Sequence, residues 1–171
     1  KIDFSNVGLF GHSRGGEGVR AAYTLYQESD QPNDTYPWKK QIVDPLQIKG
    51  IFEVGPVDGQ TDRTLNALGT AWNVLLPMCD GDVVALRGMR PFDRMIKTGT
   101  AEYPARPKST YAVWGANHNF YNTEWQQSDS PGCIGTTPLW NGEVGSSEQR
   151  DTALQSVLPF FKANVSTTPD L

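Results

Sequence analysis

Histidine and cysteine are scarce in this chain: its 171 residues hold two of each. That scarcity makes elimination possible, because any chemistry that needs an imidazole must use His12 or His118. No apolar run approaches the ~20 residues that a membrane-spanning helix needs. No basic cluster interleaved with aromatics is present, and the net charge of −4 argues against nucleic acid or an anionic membrane surface as partner. No internal repeat is evident. The length fits one domain or most of one, with enough residues to bury a core.

What is present is a strand–turn–helix signal near the start. Val7-Gly8-Leu9-Phe10 runs into Gly11-x-Ser13-x-Gly15, and a helix-compatible stretch from Gly18 to Gln27 follows. This is the context of a nucleophile elbow, in which a serine sits at the apex of a sharp, strained turn. Its near neighbours must then be small. Gly11 and Gly15 meet that need, and Gly16 lets the new helix pack close to the strand. The competing reading is an ordinary Gly/Ser turn between two elements.

A serine nucleophile needs a base, and the base needs an acid to orient it. His12 is adjacent to Ser13, and successive side chains on a strand point to opposite faces, so His12 is expected to point away from the serine's working side as a packed structural residue. That leaves His118, in Trp114-Gly115-Ala116-Asn117-His118-Asn119, where an apolar strand runs into a loop of small and polar residues. A third buried strand ends in two carboxylates, Asp80 and Asp82, and Asp58 in the turn after Phe52–Val57 is a further candidate acid. The Asp-Gly-Asp sequence also suggests calcium, but the full pattern of alternating oxygen ligands and a closing Glu is absent.

With these residues in view, the chain resembles the C-terminal half of an α/β-hydrolase. It is most similar to secreted bacterial-type esterases and lipases that carry a Gly-His-Ser-Arg-Gly-Gly elbow. The elbow matches at Gly11 to Gly16, the acid loop at Met78 to Val84, the histidine loop at Ala116 to Asn122, and the last helix at Ser147 to Ala163. The resemblance implies that Ser13 is the nucleophile and His118 the base. It favours Asp82 as the acid, since the family's acid stands where Asp82 stands relative to Val83-Val84, and leaves Asp80 as a turn carboxylate capping loop amides. It makes the Arg14 backbone N–H one oxyanion donor. It implies hydrolysis of a carboxylic ester, from a small molecule, lipid or polymer, by an acyl-enzyme route. No metal or organic cofactor is implied, and the location is secreted or extracytoplasmic. Amide or peptide hydrolysis by the same triad is an alternative. So is a non-catalytic binding module on the same fold, against which the retention of Ser13, Asp82 and His118 speaks.

The expected class is α/β. Strands are expected at Val7–Phe10, Ile48–Val54, Asn73–Pro77 and Ser109–Trp114, and helices at Gly15–Glu28, Thr61–Leu68, Leu86–Thr98 and Ser147–Asn164. The alternation argues a mostly parallel four-strand half-sheet with helices on both faces. In the family the elbow follows the fifth strand, whereas here it begins at residue 11. The expectation is therefore a partial hydrolase domain over residues 1–171, whose partner is the remainder of that domain. The elbow strand would be its one open edge, and the second oxyanion donor would lie in the absent part.

If His118 reaches Asp82, the loops holding Cys79 and Cys133 are neighbours, and a Cys79–Cys133 disulfide would tie them together. Residues 29–45 and 121–146 read as variable loops. In the second, Trp125 and Trp140 either wall a substrate or staple the loop to the body. The Arg14 side chain reads as solvated or salt-bridged, and Glu17 as a response to the helix dipole.

Overall fold

The structure is a computed structural model, and it describes residues 3–28, 46–61, 65, 67, 69–84, 87–95, 105–125, 127–129 and 145–168. The apolar runs form β1 (Val7–His12), β2 (Ile48–Val54), β3 (Ala71–Pro77) and β4 (Lys108–Val113). All their pairings are parallel and their order is β1-β2-β3-β4. β3 is buried along its whole length and β2 over its last five residues. Such unbroken burial is what strands covered on both faces require.

The covering elements are helices: α1 (Arg14–Glu28), α2 (Met89–Met95) and α3 (Ser146–Asn164). Neighbouring strand residues face opposite sides, so Ile51 and Phe52 belong to different cores. On one side Ile51, Trp72, Val74 and Leu76 pack with Tyr23 of α1 and Met95 of α2. On the other, Phe52, Val54 and Leu75 meet Val157, Phe160 and Phe161 of α3. α3 lies this close because Gly50 has no side chain: a Cβ there would come 3.0 Å from the Phe160 ring. Phe52 is fully buried at this contact, and its truncation to Ala would cost roughly 3–5 kcal/mol.

The α/β fold with a four-stranded, all-parallel sheet and helices packed on it matches the expectation. Details differ. The elbow strand runs on to His12, paired with Val54. The expected helix at Thr61–Leu68 lies mostly outside the described residues, as do the ends of the one expected at Leu86–Thr98. Within the latter, helix begins only at Met89, after a turn in which Arg90 N donates to Arg87 O, and Pro91 sits in its first turn, where proline is tolerated. β1 is not the one open edge: among the described residues β4 also lacks an outer strand. Exposed large apolar side chains occur on β1, at Phe10, on α1, at Leu25, and on α3, at Leu154 and Leu158. No described helix is long and apolar enough to cross a membrane.

Candidate active site

Ser13, Asp58, Asp80, Asp82 and His118 lie beyond the carboxyl ends of strands, where open parallel sheets present ligand sites. Ser13 joins β1 to α1 without a spacer. Its φ of +59° is the only positive φ of a non-glycine among the described residues. That conformation costs a serine of order 1–3 kcal/mol and needs support on both sides. Ser13 N donates to Val54 O at 3.0 Å, and Gly16 N donates to Ser13 O at 2.9 Å. Gly11 is obligatory, because a Cβ there would overlap the Gly15 carbonyl. Gly16 allows contact with the chain after β2, since its Cβ would come 2.6 Å from the Pro56 side chain. Gly15 does not have the role expected of it, as a Cβ there meets only open space. Arg14 opens α1, so its N–H has no acceptor within the helix, and its side chain is exposed.

His118 is buried in the turn after β4, which is fastened from several directions. Cys79 N donates to Ala116 O at 2.8 Å. Gln149 of α3 brackets Asn117, accepting from its N–H at 3.0 Å and donating to its carbonyl at 2.7 Å. Asp129 joins the histidine and acid loops, accepting from His118 N at 3.1 Å and Gly81 N at 3.0 Å. Neither Gln149 nor Asp129 was found by sequence reasoning, since nothing local distinguishes them from solvated polar residues.

The acid beside His118 is Asp80. Its Oδ2 lies 2.8 Å from His118 Nδ1, while Oδ1 accepts from Asp82 N at 3.0 Å and Val83 N at 2.6 Å. The expected capping of loop amides is thus real, and the same carboxylate also holds the imidazole. Asp82, the expected acid, does not take the Nδ1 position. It is 66 % exposed, with Oδ2 at 3.5 Å from Nε2 on the other side of the ring. The reason is the turn itself: residues two apart in Asp80-Gly81-Asp82 point differently, and Asp80 is drawn inward by the amides it caps. Gly55, at φ +48°, lets the pair cross above β2, because a Cβ there would lie 3.2 Å from both Nδ1 and Oδ2. Asp58 is also not near the imidazole; Arg94 holds it at 2.6 and 3.0 Å and Arg20 at 3.4 Å.

Burial disfavours charge on His118, but the hydrogen bond and charge of Asp80, with Asp82 and Asp129 adding, outweigh it and hold its pKa above the usual value. His12 lies inside the site rather than away from it, its ring centroid 4.6 Å from that of His118. Burial and the neighbouring His118 push His12 down to about 4, so it is a neutral packing partner near pH 7. His118 Nε2 is buried without a hydrogen-bond partner, so no bond joins it to Ser13. Asp80 and His118 are hydrogen-bonded to each other, while no hydrogen bond links His118 to Ser13.

Glu17 does more than answer the helix dipole. It is buried and accepts backbone N–H bonds from Gly59, Gln60 and Thr61 at 2.9–3.1 Å. Trp125 is exposed, and Trp140 lies outside the described residues. Cys133 does too, so the expected bridge to the buried Cys79 is outside what the structure describes, although no free thiol occurs among the described residues. Among those residues no group of three His, Cys, Asp or Glu side chains is placed to hold a metal ion. No family model matches the chain, and no curated protein matches it either.

Proposed function

We propose that the protein is a serine hydrolase of the α/β-hydrolase kind acting on carboxylic esters. The observation that carries this reading is Ser13 at φ +59° between a parallel strand and a helix, on the same sheet end as a buried, hydrogen-bonded Asp80–His118 pair. Ser13 Oγ attacks the ester carbonyl while His118 Nε2 takes its proton. The N–H of Arg14 donates to the developing oxyanion. The imidazolium, stabilised by Asp80, then protonates the leaving alcohol, and water releases the acyl group by the same steps. For the first step the Nε2 edge must turn from Asp82 towards Ser13; such contacts tighten on substrate binding. The Cys79–Cys133 bridge and a secreted or extracytoplasmic location accompany this reading as proposals.

The open Ser13–His118 contact favours a second reading, a binding module that keeps the fold without the chemistry. A fluorophosphonate probe separates the two. Covalent labelling of the wild type that disappears in Ser13→Ala supports the hydrolase. No labelling of a folded wild type would sink it.

A further inference from the structure

The turn after β2, residues 55–61, touches each part of the candidate site. Val57 N donates to Ser13 O at 3.3 Å. Pro56 lies against Gly16, and Gly55 lies directly beneath the Asp80–His118 pair. A shift of this turn therefore moves the nucleophile relative to the base. The turn also holds two positive-φ glycines, Gly55 and Gly59, so its own backbone does little to restrict it.

Charged side chains from outside restrict it instead. Glu17 and Arg20 stand three residues apart on α1 and so share a face. Glu17 takes the N–H groups of Gly59, Gln60 and Thr61, and the Thr61 hydroxyl at 3.3 Å. Arg20 donates to Val57 O at 2.7 Å and reaches Asp58 at 3.4 Å, while its Nε bonds Glu53 at 3.0 Å. Arg94 of α2 holds Asp58 from the other side. Arg20 is 0 % exposed and Glu17 3 %. Burying such charges is poor value for stability alone, since apolar replacements of similar shape are often neutral or better. The same helix begins one residue after Ser13, so nucleophile and anchors move as one piece.

We propose that Glu17, Arg20 and Asp58 are positioning residues that clamp the 55–61 turn to the elbow helix and so set Ser13 against the Asp80–His118 pair. The catalytic part of this proposal rests on the serine-hydrolase reading; the clamp itself does not. Glu17→Gln and Asp58→Asn test it, because both keep the shape and remove the charge. Hydrogen exchange reads the clamp without reference to activity. Bonds to a charged group are worth about 1.5–3 kcal/mol, so the amides of Gly59, Gln60 and Thr61 should exchange roughly 10–100-fold faster in Glu17→Gln, and that of Val57, which donates to Ser13 O, should also exchange faster as the turn loosens, with those of Val74 and Leu75 in β3 unchanged. Well below the melting temperature, fluorophosphonate labelling and kcat for a soluble nitrophenyl ester should fall about 10–100-fold, with KM little altered, as a small misplacement of reacting groups does. Variants that melt earlier but are labelled at the wild-type rate would overturn the positioning role. Unchanged exchange at Val57 would overturn the clamp. A wild type that resists the probe would defeat the hydrolase reading instead, and the exchange data would still decide the clamp.

Discussion

Replacing Asp80 by Asn should cost far more activity than replacing Asp82, and the hydrogen bonds give the reason. Asp80 uses one oxygen for the amides of Asp82 and Val83 and the other for His118 Nδ1. Asn has a single oxygen. If that oxygen keeps the loop amides, its NH2 faces Nδ1, the ring proton moves to Nε2, and His118 cannot accept from Ser13. If it turns to Nδ1–H, the loop amides lose their acceptor at about 1–3 kcal/mol, which a domain stable by roughly 5–15 kcal/mol survives. In the serine-protease template the same exchange drops kcat by about 10⁴ through the wrong tautomer, and a loss of about 10³–10⁴ is expected here. Asp82 is two-thirds exposed at 3.5 Å, where a unit charge pair in water is worth about 1 kcal/mol, so Asp82→Asn should cost no more than about tenfold. The assay is initial-rate hydrolysis of p-nitrophenyl acetate near pH 8, with circular dichroism to confirm folding. A folded Asp80→Asn near wild-type rate beside a crippled Asp82→Asn would refute the reasoning and restore Asp82 as the acid.

Other outcomes follow from the same contacts. His12 has a folded pKa of about 4 against its ordinary 6.5. Its neutral burial therefore contributes stability that is complete above pH 6.5 and is lost as pH falls through about 4, by up to about 3 kcal/mol. His12→Phe should remove that loss, read as a smaller drop in melting temperature between pH 7 and pH 4; equal drops in both proteins would contradict the assignment. Gly11→Ala should abolish folding or labelling, because its Cβ has the Gly15 carbonyl in its way. Gly15→Ala, in open space on α1, should be neutral or stabilising by about 0.5–1 kcal/mol. Thermal melts of the two variants check both statements, and a harmful Gly15→Ala would show that the elbow geometry is misread.

The strands and the sharp turn at Ser13 were legible because their signals are local: apolar runs bounded by glycine, and a serine between small residues. His118 was the candidate left by elimination, and it lies with Asp80 at the same end of the sheet as Ser13. The carboxylate at His118 Nδ1 stands two residues before the expected Asp82, since Asp80 and Asp82 carry the same side chain and only the turn decides which faces inward. Arg20 and Glu53 were not legible at all. Charged residues read as solvated, and these are completely buried, with burial pushing Glu53 up to about 7 against the opposing pull of Arg20 and Trp72. Asp129 and Gln149 act across separations of 48 and 32 residues, which no short-range pattern encodes. Gly15 shows the opposite error, a motif glycine credited with a steric duty that its surroundings do not impose.

The order β1-β2-β3-β4 places Ser13, Asp80 and His118 on the outlets of three strands, with β2 between Ser13 and the other two. Parallel neighbours are joined by long crossings, so no hairpin or helical pair can assemble this constellation alone. Each pairing must close before Ser13, Asp80 and His118 share one end of the sheet. A partly unfolded molecule would therefore hold no weakened site, only scattered side chains. Residual probe labelling in a heat-stressed sample would count surviving native molecules, and its decay should superimpose on the loss of near-ultraviolet tryptophan signal from the buried Trp72.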